Sequence, residues 1–257
     1  MINTTTYIAF KTILIREFLR FIRIWKQTIV PPVITTTLYF LIFGKLMGDR
    51  IGEMGGHSYM LFIIPGVVLM SVISHSYANV VSSFFMSKYQ KNIEEILIAP
   101  VPNAVILAGY VGGGIARGLI VGIVVLIVAL FFSPMQIYSY SFMLLIIILT
   151  SLLFSIGGFI NAIYAKTFDD ISVIPTFVIT PFTYLGGVFY SIDLLPPFWQ
   201  NVSLFNPVLY MVNGFRYGMI GVSDTSPLLS VIIISVFIII FGLFSLSLLN
   251  RGVGIKQ

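Results

Sequence analysis

The sequence predicts an all-α membrane protein: a single membrane domain over residues 1–257, with six apolar spans and amphipathic helical pieces at its surfaces. Three observations carry this. Charged residues are 9% of the chain, against about 25% in ordinary soluble domains, and mean hydropathy is +1.04, so lipid must be the solvent. Apolar stretches of the roughly 20 residues that cross a bilayer recur along the chain, while the short alternating segments of a β-barrel are missing. Finally, the basic residues are distributed very unequally between the connecting segments.

The elements follow in order. Residues 5–26, TTYIAFKTILIREFLRFIRIWK, are too charged to span but are periodic. Phe10, Leu14, Phe18, Phe21, Ile22 and Trp25 share one helical face, and Arg16, Arg20 and Arg23 the opposite one. This is the pattern of an interfacial helix, aromatics in the acyl chains and arginines at the membrane-surface phosphates. Pro31 and Pro32 should end it, because proline lacks an N–H and clashes with the preceding turn. Six spans are expected near 28–47, 60–86, 105–132, 140–164, 171–190 and 228–249. The N-terminus has no signal-peptide pattern, since charges interrupt its apolar positions.

Charge sets the orientation. With a cytoplasmic N-terminus, ten basic residues lie inside (Lys11, Arg16, Arg20, Arg23, Lys26, Lys88, Lys91, Lys166, Arg251 and Lys256) and three outside (Lys45, Arg50 and Arg216). That bias follows the positive-inside rule and puts both termini in the cytoplasm. The net charge of +5 reads as a basic cytoplasmic side, with no nucleic-acid partner. The absence of cysteine excludes disulfides, thiolate metal sites and cysteine nucleophiles. His57 and His75 are far apart in sequence, and no acidic partners for a metal are evident.

Between spans two and three, Lys88, Lys91, Glu94 and Glu95 crowd into eight positions. Tyr89, Ile93, Ile96 and Leu97 form an apolar stripe of about two turns, with Lys91, Asn92 and Glu95 facing away, and Pro100 stops the helix. Residues 88–99 are either a docking helix or a solvated connector whose charges enforce topology.

Two stretches carry a family resemblance. KNIEEILIAPVPNAVILAGYVGGG, from Lys91, resembles the signature of the ABC-2 type permeases, the membrane subunits of one class of ABC exporter. YLGGVFYSIDLLPPFWQNVSLFNPVLYMVNGFRYG, residues 184–218, resembles that family's second signature. AKTFDDISVIPTF is similar to its YadH-type branch in Gram-negative bacteria, alongside polysaccharide and Nod-factor export permeases. The resemblance implies an N-terminal connecting helix, six spans, a cytoplasmic coupling helix over 88–99 and a re-entrant extracytoplasmic hairpin before span six. The residues agree with the last: LLPPFW and LFNPVLYMV, within 191–222, are too apolar for a solvated loop. The resemblance also implies a bacterial inner-membrane location and an assembly of two permeases, as a homodimer, with two separate ATPase subunits that hold ATP and Mg²⁺.

No cofactor is expected in this chain and no catalytic residue, because no GxxxxGK[ST] phosphate loop occurs. GYVGGGIARG opens a membrane span and does not follow a strand, so its glycines read as close helix approach. By the resemblance, the ATPase docks at Lys88, Lys91, Glu94, Glu95 and Ile96. Asp169 and Asp170, at the start of span five, read as a helix cap, with an ATPase or gate contact as a second role. Arg117, inside a span, either snorkels to cytoplasmic phosphates or meets substrate. Arg216 binds outer-leaflet phosphate or a backbone carbonyl, with substrate release open. Thr35, Thr36 and Thr37 bond their own backbone or line a pathway. Phe182, Tyr184, Phe189, Tyr190, Phe198 and Trp199 suit an interfacial belt or an exit for sugar or lipid. The expected function is therefore an export permease for a lipid, a glycolipid or polysaccharide, or an amphipathic drug. An ion-coupled transporter or channel would want acidic residues or broken helices at mid-membrane, and no acid lies deep in the six expected spans. A membrane scaffold is the third reading.

Overall fold

A computed structural model describes residues 4–93, residue 95 and residues 100–254. Helix α1 spans Thr4–Arg23 and α2 Trp25–Tyr39, continued by a π-helical segment, Phe40–Met47, and by α3, Gly48–Ile51. The chain breaks at Ile24 (φ −104°, ψ 28°), not at the prolines, which lie inside α2. Prolines are tolerated in membrane helices when side chains re-engage the freed backbone. One turn on, Thr36 Oγ1 donates to the Pro32 carbonyl at 2.7 Å and Thr37 Oγ1 to that of Val33 at 2.7 Å, bonding their own helix backbone. The first long helix thus runs Trp25–Ile51, seven residues longer than the expected 28–47.

Glu53–Met54 and His57–Ser58 then form a two-residue hairpin, β1 and β2. Gly55 and Gly56, at φ 60° and 77°, supply the left-handed turn it needs. Helix α4, Tyr59–Tyr89, follows as the most buried of the long helices. It packs on α5 (Asn103–Leu130), α6 (Tyr140–Tyr164) and α10 (Pro207–Ile220). Lipid gives helices no hydrophobic reason to associate, so small residues and hydrogen bonds must hold them. The glycines of α5 do this on two faces. A Cβ at Gly109 would stand 2.6 Å from Ile13 of α1, and one at Gly122 2.8 Å from Val72 of α4.

The expected fifth span is shorter than its sequence suggested. Helix α7 (Asp170–Ile174), a π-helical segment (Pro175–Ile179) and α8 (Thr180–Tyr184) form one 15-residue stretch. That is about 22 Å against a core of about 30 Å. The rest of 171–190 turns through Gly187, at φ 70°. Among the described residues, five helices are long and apolar enough to cross a membrane: Trp25–Ile51, α4, α5, α6 and α11 (Pro227–Arg251).

Residues 191–222 form a single 3₁₀ turn at Ile192–Leu194, then α9 (Pro197–Leu204) and α10. Asn206 caps α10, its Oδ1 accepting from Val208 N–H at 2.9 Å, Pro207 begins it and Gly221 (φ 77°) ends it. Val208 to Arg216, Gly218 and Met219 are buried against neighbouring helices. The apolarity of this stretch is thus accounted for largely by the protein's own core. The exposed apolar side chains of α9 include Phe198 and Trp199.

Candidate functional site

The carboxyl ends of α4, α6 and α11 meet around a groove of about 750 Å³, walled in part by Phe85, Lys88, Tyr89, Lys91, Lys166 and Val253. Lys88 turns inward, donating from Nζ to the carbonyls of Ala162, Ile163 and Ala165, so it closes the end of α6 and presents little to a partner. Lys88 and Tyr89 also belong to α4, so any docking helix begins after the turn at Gln90–Lys91. Lys91 is exposed in a left-handed conformation (φ 63°), Ile93 is buried and Glu95 is exposed. The side chains of Glu94 and Ile96, and most of the expected helix over 88–99, lie outside the described residues. Tyr89 is exposed where the apolar stripe required burial, and packs edge-on against Phe168 at 5.1 Å.

The acids at the start of span five divide their work. Asp170 Oδ2 accepts from the Lys166 and Thr167 amides at 2.8 and 2.9 Å, while Asp170 N–H donates to Thr167 Oγ1 at 3.3 Å. That reciprocal pair is a capping box with Thr167 as the cap. The amide bonds hold the Asp170 carboxyl below its ordinary range. Asp169 stands before α7 and makes no side-chain cap.

Helix α1 lies against the bundle with Ile13, Glu17 and Phe21 buried and Leu14 and Arg20 half-buried, so its inward side draws on both of the expected faces. Ile13 meets Gly109, Leu14 meets Gly112 and Glu17 meets Gly113, so α1 follows α5 turn by turn. Glu17 is fully buried, accepting from Ser83 Oγ at 2.6 Å. Arg16 and Arg20 flank it at 3.6 and 3.4 Å. Arg16 donates to the Tyr110 hydroxyl, and Arg20 to the carbonyl and Oδ1 of Asn79, both at 2.8 Å. Phe18, Ile22 and Trp25 are exposed, as a lipid-facing side would be, while Phe21 of that expected face is buried; Arg16 and Arg23 are exposed and Arg20 is half-buried. A buried carboxylate flanked by two arginines costs less facing protein than lipid. Glu17 and Asn79 were missed by sequence reasoning; the one signal was a lone acid set among the arginines.

Two further arginines are buried, in opposite circumstances. Arg216 is fully buried on α10 and donates to the carbonyls of Phe62 and Gly187 and to Asn213 Oδ1. Its guanidinium stacks 3.9 Å over the Phe62 ring and lies 4.0 Å from Asp224. Asp224 in turn accepts from Ser191 Oγ and the Ile192 amide at 2.9 and 3.2 Å. The backbone-carbonyl reading of Arg216 is the one realised, and it ties the 187–192 turn to α4 and α10. Arg117 is the fifteenth of the 28 residues of α5, about 21 Å along its axis. It is 8% exposed, with His75 Nδ1 at 3.5 Å from its Nη2.

A cavity of about 560 Å³ opens between α6, the Asp170–Tyr184 stretch, α10 and α11. Its wall is mostly apolar, including Phe154, Val178, Phe182 and Phe241, with Tyr77, Asn161 and Tyr164 bringing polar atoms. Asn161 Nδ2 donates to the Tyr77 hydroxyl at 2.7 Å.

Comparison with known proteins gives this architecture a family. Residues 8–220 match the family described as ABC-2 type transporter. The chain is 58% identical over 251 residues to the inner membrane transport permease YadH of Escherichia coli (strain K12), covering 98% of each chain. It is 23% identical over 232 residues to nodulation protein J of Rhizobium leguminosarum bv. viciae, covering 88% of this chain and 90% of that one. Nodulation protein J of Rhizobium meliloti (strain 1021) is 25% identical over 217 residues, with 84% and 81% covered. With a family match across most of its length and close full-length similarity to a transport permease, the chain belongs to the ABC-2 type transporter family.

Proposed function

We propose that the chain is the transmembrane permease subunit of an ATP-binding-cassette exporter in a bacterial inner membrane. It works as a homodimer with two copies of a separate ATPase, and both termini and residues 88–99 are cytoplasmic. Six passages are counted by adding the short Asp170–Tyr184 stretch to the five long helices, with α9 and α10 as the extracytoplasmic re-entrant pair. The substrate is a lipid, a glycolipid or polysaccharide, or an amphipathic drug.

The observation that carries this is the link between α4 and α5. Helix α4 runs unbroken from Tyr59 to Tyr89 through the centre of the bundle, and α5 leaves again at Asn103 and packs beside it. A push on the 88–99 link therefore reaches the two central helices at once. With no phosphate loop in the sequence, the push must come from another chain. Substrates of mixed polarity are supported by the 560 Å³ apolar cavity, which carries an Asn161–Tyr77 hydrogen bond on its wall. An ion-coupled carrier would need a free acid in the bundle; Glu17 is buried but engaged by Ser83, Arg16 and Arg20.

The test is affinity purification of the full chain from its host membrane in mild detergent. A subunit bearing an ATP-binding phosphate loop should copurify, and a Glu94→Ala, Glu95→Ala double variant should insert normally but lose it. Losing one member of a desolvated charged contact costs about 2–5 kcal/mol, so the loss should be plain. Recovery of active permease with no ATPase would refute the reading.

A further inference from the structure

The two buried arginines of the bundle differ in one respect that matters chemically. Arg216 has its guanidinium engaged on nearly every side by carbonyls, Asn213, Asp224 and the Phe62 ring. Arg117 is 8% exposed and sits halfway along α5, yet its one hydrogen-bond neighbour among the described residues is His75 Nδ1, at 3.5 Å. Guanidinium offers five donors and no acceptor, so most of its capacity is unused. A charge held in the membrane without a partner is expensive, and such residues mark ligand sites.

Among the described residues, no acceptor is bonded to several of the donors here. Arg117 Nε, Arg20 Nε and Asn79 Nδ2 are buried donors without a partner among the described residues. Arg20 is bonded to Asn79, one turn along α4 from His75, and Gly113, one turn before Arg117 on α5, packs against Asn79 and Glu17, so the two arginines lie about a turn apart. Glu17, the buried acid nearby, is already shared by Arg16 and Arg20. The approach to this spot is open. Met70, Ser74, Ala78 and Ser82 recur every four residues along α4, with Ser74 exposed and the others partly so. His75 is half-buried beside that stripe, and Ser82 Oγ lies 3.5 Å from Arg20 Nη1, so the stripe leads to the arginines.

We propose that Arg117, with Arg20 and His75 beside it, forms a binding site for the anionic head group (phosphate, sulfate or carboxylate) of an amphipathic ligand that enters along the Met70–Ser82 face of α4. Arginine suits this task because its fork matches such oxyanions and is weakly hydrated. The ligand's charge supplies the missing acceptor, and its apolar part stays in the membrane. The proposal rests on the permease reading in naming that ligand as cargo, but the site itself does not need the ATPase.

The test measures binding to the purified full-length permease alone, in a neutral maltoside detergent, by calorimetry. The probes are dihexanoyl phosphatidic acid, dihexanoyl phosphatidylcholine and inorganic phosphate. Phosphatidic acid should bind about tenfold or more tightly than phosphatidylcholine, and more tightly than inorganic phosphate. Arg117→Gln should erase that preference and Arg117→Lys keep part of it, while Arg50→Gln, exposed on α3, should leave it unchanged. Equal binding of the two lipids by the unaltered protein overturns the site, whatever becomes of the variants' folding. So does a preference that survives Arg117→Gln. Phosphate bound as tightly as phosphatidic acid overturns the amphipathic ligand. Failure of an ATPase to copurify would strike the transport reading and leave these measurements standing.

Discussion

Glu17 shows how one side chain can organise a membrane helix. Its carboxylate meets Ser83 of α4 and the two arginines of its own helix, with Gly113 of α5 leaving room for its stem. Glu17→Ala would leave two part-exposed arginines without their acid and the buried Ser83 hydroxyl without its acceptor, a loss of about 1–3 kcal/mol. The variant should unfold at markedly lower temperature in detergent, and Glu17→Gln, which retains an acceptor, should lose less. Equal stability of all three proteins would mean that the arginines find other partners. At the opposite end of the molecule, Asp224→Asn should be milder than Arg216→Ala. Arg216 keeps its carbonyl partners in the first, whereas the Phe62 and Gly187 carbonyls and Asn213 lose theirs in the second. Thermal melts of the two variants compare them directly.

At the scale of the element, spacing between helices is set by missing side chains. Gly109→Val should push α1 away from α5, because a Cβ there meets Ile13 at 2.6 Å. Amides of α1 should then exchange faster with deuterium, while α5 stays inserted. Gly242→Ala is the contrast: nothing stands within 4 Å of a Cβ on that face of α11, so exchange should not change. The Thr167–Asp170 box starts the short fifth helix. The Asp170 carboxyl is held below its ordinary range, so its bonds to the 166 and 167 amides are intact at neutral pH. They are lost as pH falls through that lowered value. Protection of those two amides relative to their intrinsic exchange rates should therefore fall on acidification, and an Asp170→Asn variant should show no such fall.

At the scale of the whole molecule, the side chains left exposed are those that lipid or a second copy would cover. Helix α11 and the first long helix are the least buried of the five, with Ile232, Val236, Ile239 and Leu243 exposed along α11. The chain has no cysteine, so introduced thiols report topology cleanly. In intact cells an impermeant maleimide should label Glu53→Cys, in the hairpin before α4, and spare Asn92→Cys until the membrane is opened. Labelling of Asn92→Cys from outside would invert the proposed orientation.

The sequence by itself determined the solvent, the class of fold and most of the spans. Expected spans at 60–86, 105–132, 140–164 and 228–249 correspond to Tyr59–Tyr89, Asn103–Leu130, Tyr140–Tyr164 and Pro227–Arg251. Apolar length is a local property, readable one segment at a time. The family signatures were equally local, and the family match followed them. The glycine run read correctly as close approach because glycine's small size is itself the information. What periodicity showed of α1 was which residues share a face; it was silent on what the helix packs against, and Phe21 is buried while Phe18, Ile22 and Trp25 stay exposed. Tyr110 lies 94 residues from Arg16, and Phe62 lies 154 from Arg216. Only the tertiary structure decided that Arg20 and Lys88 turn toward the bundle, that α10 is core, and that Arg117 lies buried beside His75. The physical reason is that a polar group's position in a membrane is fixed by the partner that satisfies it, and those partners come from distant parts of the chain.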